Sequence, residues 1–284
     1  MGTNNVSCLT LLSPAKVNLF FRVLRKRSDG YHEIASLYQA INLFDTLRVS
    51  LSGSDQLTCT DPVIPTDASN LLYKALSTFR RHTGWSGGVR MHLEKKIPIQ
   101  SGLGGGSGNA ATLLWALKTL LEPEIPDSVL AEWAAEFSSD ASFFFSGGTA
   151  YCTGRGEKFD NLAPLTPQQL LIVKPPYGLS TPAVYGQCNP ELLQVRDPLS
   201  YLQKALSGQM ELFNDLEPSA FAFEPSLALL KEDLIRRGMK SVCMTGSGSA
   251  MMCLPPDSGY GELGGELTCY PTCFINRTEG LWYH

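Results

Sequence analysis

The chain is short of basic residues. Lys and Arg total 23 against 27 Asp and Glu, a net charge of −4 over 284 residues. A protein that lives on nucleic acid needs a basic face to neutralise phosphates, so this balance excludes broad nucleic-acid binding as the expectation. Long apolar runs are also missing; nothing approaches the ~20 residues that cross a bilayer. The opening residues Met1 to Thr10 lack the cationic start and apolar run of an export signal, so the expected compartment is the cytoplasm. CxxC pairs are absent. The eight cysteines sit scattered in apolar segments, and the one close pair, Cys269 and Cys273, has no second pair at zinc spacing. Buried reduced thiols are expected rather than a disulfide framework. No internal repeat or low-complexity tract is visible.

What remains is a globular composition, 43% hydrophobic and 18% charged. Residues Cys8 to Leu12, Val17 to Leu24 and Thr46 to Leu51 are rich in β-favouring side chains and bounded by Pro, Gly, Asp and Ser, which predicts strands. Ser69 is placed to cap a helix with Leu71, Leu72, Ala75, Leu76 and Phe79 on one face, closed by Gly84. Alternation in Gly88 to Leu93 predicts a half-buried strand. A helix capped by Asp127 is expected to reach Phe137. Leu162 to Gln169 holds two prolines and no period, which puts a domain boundary there, dividing 1–161 from 162–284. The second part offers a strand at Leu170 to Lys174, a helix from Pro225 to Arg237 and a strand–glycine loop–strand unit over Ser241 to Cys253. Strands and helices mixed without a regular βαβ rhythm indicate the α+β class.

The most unusual stretch is Pro98-Ile99-Gln100-Ser101-Gly102-Leu103-Gly104-Gly105-Gly106-Ser107-Gly108, running into an apolar helix stopped by Pro123. Glycine at this density costs folding entropy and needs a reason. Without Cβ atoms the amides can close on a bulky anion, and a helix starting near Ser107 adds its free N–H groups and dipole. The loop is not a Walker A, because no Gly-Lys-Ser/Thr follows. It is not the dinucleotide fingerprint either, since Ser107 stands where a third glycine belongs. Composition and spacing stop at a phosphate binder; a surface loop joining strand to helix is the structural alternative.

Taken with two further segments, this loop resembles the second motif of the GHMP kinases. Ser13-Pro-Ala-Lys-Val-Asn-Leu-Phe20 is similar to the family's first motif and Met244-Thr-Gly-Ser-Gly-Ser-Ala250 to its third. The three occur in the family's order across nearly the whole chain. Arg27-Ser-Asp-Gly-Tyr-His-Glu33, Ser180-Thr-Pro182 with Tyr185, and Asn214-Asp-Leu-Glu-Pro218 resemble the subfamily whose acceptor is a cytidine-diphosphate-linked methylerythritol.

The resemblance implies two domains, an N-terminal one like ribosomal protein S5 domain 2 that binds ATP, and a C-terminal ferredoxin-like one on the substrate side. ATP, carried as its Mg²⁺ complex, would phosphorylate the acceptor's 2-hydroxyl, on the non-mevalonate route to isoprenoid precursors. Residues 98 to 108 would hold the nucleotide. Asp140 is implied as general base, with Lys16 as its cationic neighbour and polariser of the hydroxyl. Asn18, two residues on, shares a strand face with Lys16 and would reach the substrate hydroxyls. Tyr31 and His32 match the cytidine-binding element, where a ring stacks on the base and polar groups read its edge. Tyr185 is a second stacking residue, and Thr181, Gly246 and Ser247 would line the cleft. No metal cluster is legible, so no protein ligand to Mg²⁺ is assigned.

Two departures from the subfamily stand out: Gly108 where a second serine is usual, and Ala141-Ser142 after Asp140 where Val-Pro is common. The implied partner is a small molecule, with no nucleic acid and no membrane, and the assembly a monomer or weak homodimer. Rival readings are a GHMP kinase with a mevalonate-like or homoserine-like acceptor, and a non-catalytic nucleotide- or RNA-binding protein.

Overall fold

The computed structural model describes residues 8–261 and 263–283; most of the opening stretch read above for an export signal lies outside them. Six strands come first: β1 (Cys8–Lys26), β2 (His32–Ser52), β3 (Gln56–Cys59), β4 (Gly88–Glu94), β5 (Thr149–Gly154) and β6 (Lys158–Asn161). Helices α1 (Leu71–Thr83), α2 (Gly105–Leu121) and α3 (Asp127–Ala135) lie between them in sequence. Next come β7 (Gln169–Lys174), α4 (Thr181–Gly186), α5 (Pro198–Leu206), the two-residue β8 (Phe213–Asn214), α6 (Glu217–Phe223) and α7 (Ser226–Arg236). The strands β9 (Ser241–Met244), β10 (Met251–Leu254) and β11 (Thr268–Cys273) complete the elements.

They form two sheets. The larger runs β3-β4-β2-β1-β8, with β5 also paired to β2 and β6 to β5; the smaller runs β11-β7-β10-β9. The α+β expectation holds. Residues 162–168 connect the last strand of the first run to β7 and carry no regular structure.

Side-chain alternation assigns the layers. On the larger sheet Leu47, Val49, Val89, Met91 and Leu93 face α1 to α3, where Leu72, Leu76, Phe79, Leu113, Leu114 and Leu117 complete one core. Full burial of each such side chain stabilises by about 1.5–3 kcal/mol. The opposite face, through Val17, Leu37 and Ile41, meets Leu170, Ile172 and Met252 of the smaller sheet. The alternate residues Leu171, Val173 and Met251 pack on Leu227 and Leu234 of α7. The period of two in β7 thus buries both of its faces.

Several boundaries differ from the sequence expectations. The segments 8–12 and 17–24 are one strand, interrupted by a register shift between Pro14 and Ala15. A bulge tolerates Pro14, which has no ladder N–H to give. The β2 strand is 21 residues long, although only its end reads as a strand in sequence. Asn70, not Ser69, caps α1, accepting from the Leu72 amide at 3.0 Å. Its closing Gly84 has φ 73°, as expected of a C-terminal glycine. Pro126 precedes α3, and Asp127 sits in its first turn, paired with Lys118 at 2.6 Å and Arg277 at 2.8 Å. The α2 helix begins at Gly105, two residues before the expected start, after Gly104 at φ 69°.

Candidate active site

The glycine loop is held from both sides by backbone. The β1 edge beyond its short pairing with β8 is open, and there the Lys16 amide donates to Leu103 O at 2.9 Å. On the other side, the Ser249 and Ala250 amides donate to Gln100 O (3.1 Å) and Ser101 O (3.2 Å). Gly102, at φ 76°, lies so close to the third motif that a Cβ would strike the Thr245 carbonyl. A residue with a side chain is excluded there by both conformation and space.

Motifs one and three are joined as well. The Asn18 amide donates to Thr245 Oγ1 at 3.1 Å. Asn214 Nδ2 donates to both Met244 O and Gly246 O at 2.7 Å, fixing the turn. The three segments are therefore one assembly, sharing hydrogen bonds across most of the chain length.

This assembly walls a cleft of about 1010 Å³. Pro98 to Ser107 line it, with the free amides at the start of α2 supplying roughly half a positive charge. Leu103 turns its side chain into the core between the sheets. Gly108 does not line the cleft. It is buried, and a Cβ there would lie 2.8 Å from Pro14 O and 3.2 Å from Ser13 Oγ. Glycine at 108 therefore lets α2 approach β1, and a serine would point at protein rather than phosphate. Behind the loop, buried Asp45 accepts from the Lys96 and Ile97 amides at 2.7 and 2.8 Å, from Lys95 Nζ at 2.6 Å and from Asn109 Nδ2 at 2.9 Å.

Beside the cradle, Lys16 and Asp140 meet. Lys16 Nζ is 3.4 Å from Asp140 Oδ2 and donates to Asn18 Oδ1 at 2.8 Å. The lysine is 2% exposed, while the aspartate side chain keeps 31% of its surface toward the cleft. Asn18 is buried and does not line the cleft; besides Lys16 it serves Ser36 Oγ, to which its Nδ2 donates at 3.0 Å. It orients the ammonium.

At the other end of the cleft stand Tyr31, His32 and Tyr185. The turn before them explains the Asp-Gly-Tyr-His order. Asp29 accepts from the Tyr31 amide at 3.1 Å and from Arg27 at 2.8 Å, while Gly30 takes φ 87°. The His32 and Tyr185 rings lie 5.2 Å apart, tilted by 34°. The buried His32 Nε2 has no hydrogen-bond partner among the described residues. Burial first, then the charge of Lys26, holds the imidazole below its ordinary pKa of 6.5, so it stays neutral. Thr181 Oγ1 and Ser247 Oγ, both expected at the cleft, are 2.7 Å apart, and Gly246 lines the wall beside them.

Sequence reasoning missed three contributors. Arg155 lies over the Tyr31 ring at 4.8 Å. Ser138 Oγ is 2.8 Å from Ser107 Oγ. Tyr38 donates its phenol to Asp140 Oδ1 at 2.9 Å. None stands in a motif; only Ser138, two residues before Asp140, is marked by its place in the sequence.

Known proteins resemble this chain in sequence and in fold. The family model "GHMP kinases N terminal domain" matches residues 70–148. The 4-diphosphocytidyl-2-C-methyl-D-erythritol kinase of Protochlamydia amoebophila is 45% identical over 282 residues, covering 99% of this chain and 94% of that protein. The chloroplastic enzyme of that name from Oryza sativa subsp. japonica is 41% identical, covering 98% of this chain and 73% of that protein. Among solved structures, a 4-(cytidine 5'-diphospho)-2C-methyl-D-erythritol kinase superposes with a TM-score of 0.76 at 34% identity, covering 94% of this chain and 100% of that one. A homoserine kinase from Cytophaga hutchinsonii superposes at 0.72 with 16% identity over 97% of each chain, a likeness of fold alone.

Proposed function

Because the chain belongs to the 4-diphosphocytidyl-2-C-methyl-D-erythritol kinase family of GHMP kinases, we propose that it moves the γ-phosphoryl group of ATP onto the 2-hydroxyl of 4-diphosphocytidyl-2-C-methyl-D-erythritol, a step toward isoprenoid precursors. The observation that carries this reading is the meeting of Lys16 Nζ and Asp140 Oδ2, 3.4 Å apart, beside the glycine cradle.

Phosphoryl transfer asks for positioning and charge stabilisation more than for covalent chemistry by the protein. The amides of Gly105 to Ser107 hold the phosphates at the helix start. Asp140 Oδ2 accepts the proton of the attacking hydroxyl as the new O–P bond forms and the bond to the ADP oxygen breaks. Lys16, aimed by Asn18, stabilises the charge gathering on the transferred group. Tyr31 and Tyr185 stack on the pyrimidine, and His32 reads its edge.

Carried with the nucleotide, Mg²⁺ would supply charge neutralisation at the phosphates. The hydroxyls of Ser107 and Ser138, 2.8 Å apart at the helix start, are neutral oxygen donors of the kind this ion accepts, and Ser107 would share in holding it. In this reading residues 1–161 supply the ATP cradle, Lys16, Asp140 and the Tyr31–His32 pair, and 162–284 add Thr181, Tyr185 and Ser247 on the acceptor side.

The test is an acceptor panel with labelled ATP. Phosphate should appear on the cytidyl acceptor and not on mevalonate or homoserine; preference for an acceptor without cytidine overturns the reading. Asp140→Asn should lower kcat by about 10²–10⁴-fold with ATP affinity retained. Turnover near the wild-type rate would remove Asp140 as the base.

A further inference from the structure

Tyr38 belongs to none of the motifs, yet it touches both residues that flank the reacting atoms. The β1–β2 register sets Tyr38 opposite Asn18, on the strand face that carries Lys16. Its hydroxyl donates to Asp140 Oδ1 at 2.9 Å, and its ring lies beneath Lys16 Nζ at 4.6 Å to the centroid. The side chain is buried, tilted against Phe143 with the ring centroids 5.3 Å apart. Gly156 leaves room for the phenol, since a Cβ there would come within 2.9 Å of the hydroxyl oxygen.

Resting on the reading of Asp140 as base, we propose that Tyr38 is the positioning residue that fixes which oxygen of Asp140 does the chemistry. A carboxylate free to turn about its χ angles presents either oxygen in many directions. With Oδ1 held by the phenol, Oδ2 is the oxygen left toward Lys16 and the acceptor hydroxyl. The same ring gives the ammonium a cation–π floor, so a single side chain sets the separation of base and cation. Burial and the neighbouring Asp140 charge push the phenol well above its ordinary pKa, so the donor keeps its proton throughout the neutral range. The bland alternative is a core tyrosine whose hydroxyl merely finds a buried partner.

Tyr38→Phe separates the two, because it keeps the ring, its packing and its contact with Lys16 while deleting the hydroxyl. A positioning role predicts a fall in kcat of about tenfold, with KM for ATP and acceptor unchanged and the thermal midpoint lowered only as far as the loss of one hydrogen bond requires. The same substitution in the Asp140→Asn background, measured under single-turnover conditions with excess enzyme, should add no further loss, because the hydroxyl acts through the carboxylate. An unchanged kcat overturns the proposal. So does a loss expressed in KM, one accounted for by unfolded enzyme at the assay temperature, or one of equal size in both backgrounds. The assay uses whichever acceptor the wild-type enzyme phosphorylates, so a wrong acceptor assignment leaves this test standing, while failure of Asp140→Asn to lower kcat removes its premise.

Discussion

The two ends of the cleft are built in different ways. At the phosphate end, polar atoms are paired: Lys16 with Asn18 and Asp140, Asn18 with Thr245 and Ser36, and the loop carbonyls with amides of the third motif. Much of that end is backbone. At the acceptor end the work falls to side chains, and they are not all satisfied. Tyr31 is 53% exposed, and His32 buries a ring nitrogen with no partner among the described residues. A buried polar atom without a partner costs about 1–3 kcal/mol. A planar base offering a hydrogen-bonding edge would offset that cost on binding. In the proposed reading, the contrast teaches that phosphate geometry is set before the ligand arrives, whereas the nucleoside pocket is finished by it.

Substitutions at three positions would break or sharpen this contrast. Gly102→Ala should do most damage, because a Cβ at φ 76° meets the Thr245 carbonyl and pries the second motif from the third. A loss of about 2–4 kcal/mol in urea unfolding is expected, together with weaker ATP binding. Wild-type stability in that variant would show that the phosphate end is not pre-set by backbone. At the other end, Tyr31→Ala should raise the acceptor KM about tenfold and leave the ATP KM alone, since stacking on a base is worth about 1–3 kcal/mol. Tyr31→Phe should restore it; equal changes in both KM values would deny that the ends are separate.

The smallest effect concerns pH. Since burial holds His32 below its ordinary value, the unfolded chain takes up the proton first as pH falls. Its contribution to stability is therefore complete above about pH 6.5 and is lost as pH drops from there through the folded value. In thermal melts His32→Gln should flatten the acid-side decline, and bound cytidine nucleotide should deepen it in the wild type. An unchanged slope would mean the ring is not buried neutral.

The sequence showed the glycine loop, the helix after it and the strand–loop–strand near the end, because each rests on local chemistry. Glycine density and apolar period survive without knowledge of the fold. It did not show the length of β2, whose residues 35–41 are buried and carry no alternation, as expected of a strand covered on both faces. With β2 hidden, Tyr38 was hidden too. The helix caps slipped by one or two residues because Asn70 and Gly104 compete with equally suitable neighbours. Gly108 reads in sequence as part of the phosphate loop, and only packing places it against Pro14.

By itself, the order of residues determined which groups are present: a run of bare amides, a lysine two places before an asparagine, an aspartate followed by a tyrosine–histidine pair. Their convergence was decided by tertiary structure. The β1–β2 register, the loop closing the open edge of β1 and the smaller sheet carrying Thr245 against Gly102 bring together atoms far apart along the chain. Such distances are set by the packing of sheets, which no local pattern encodes.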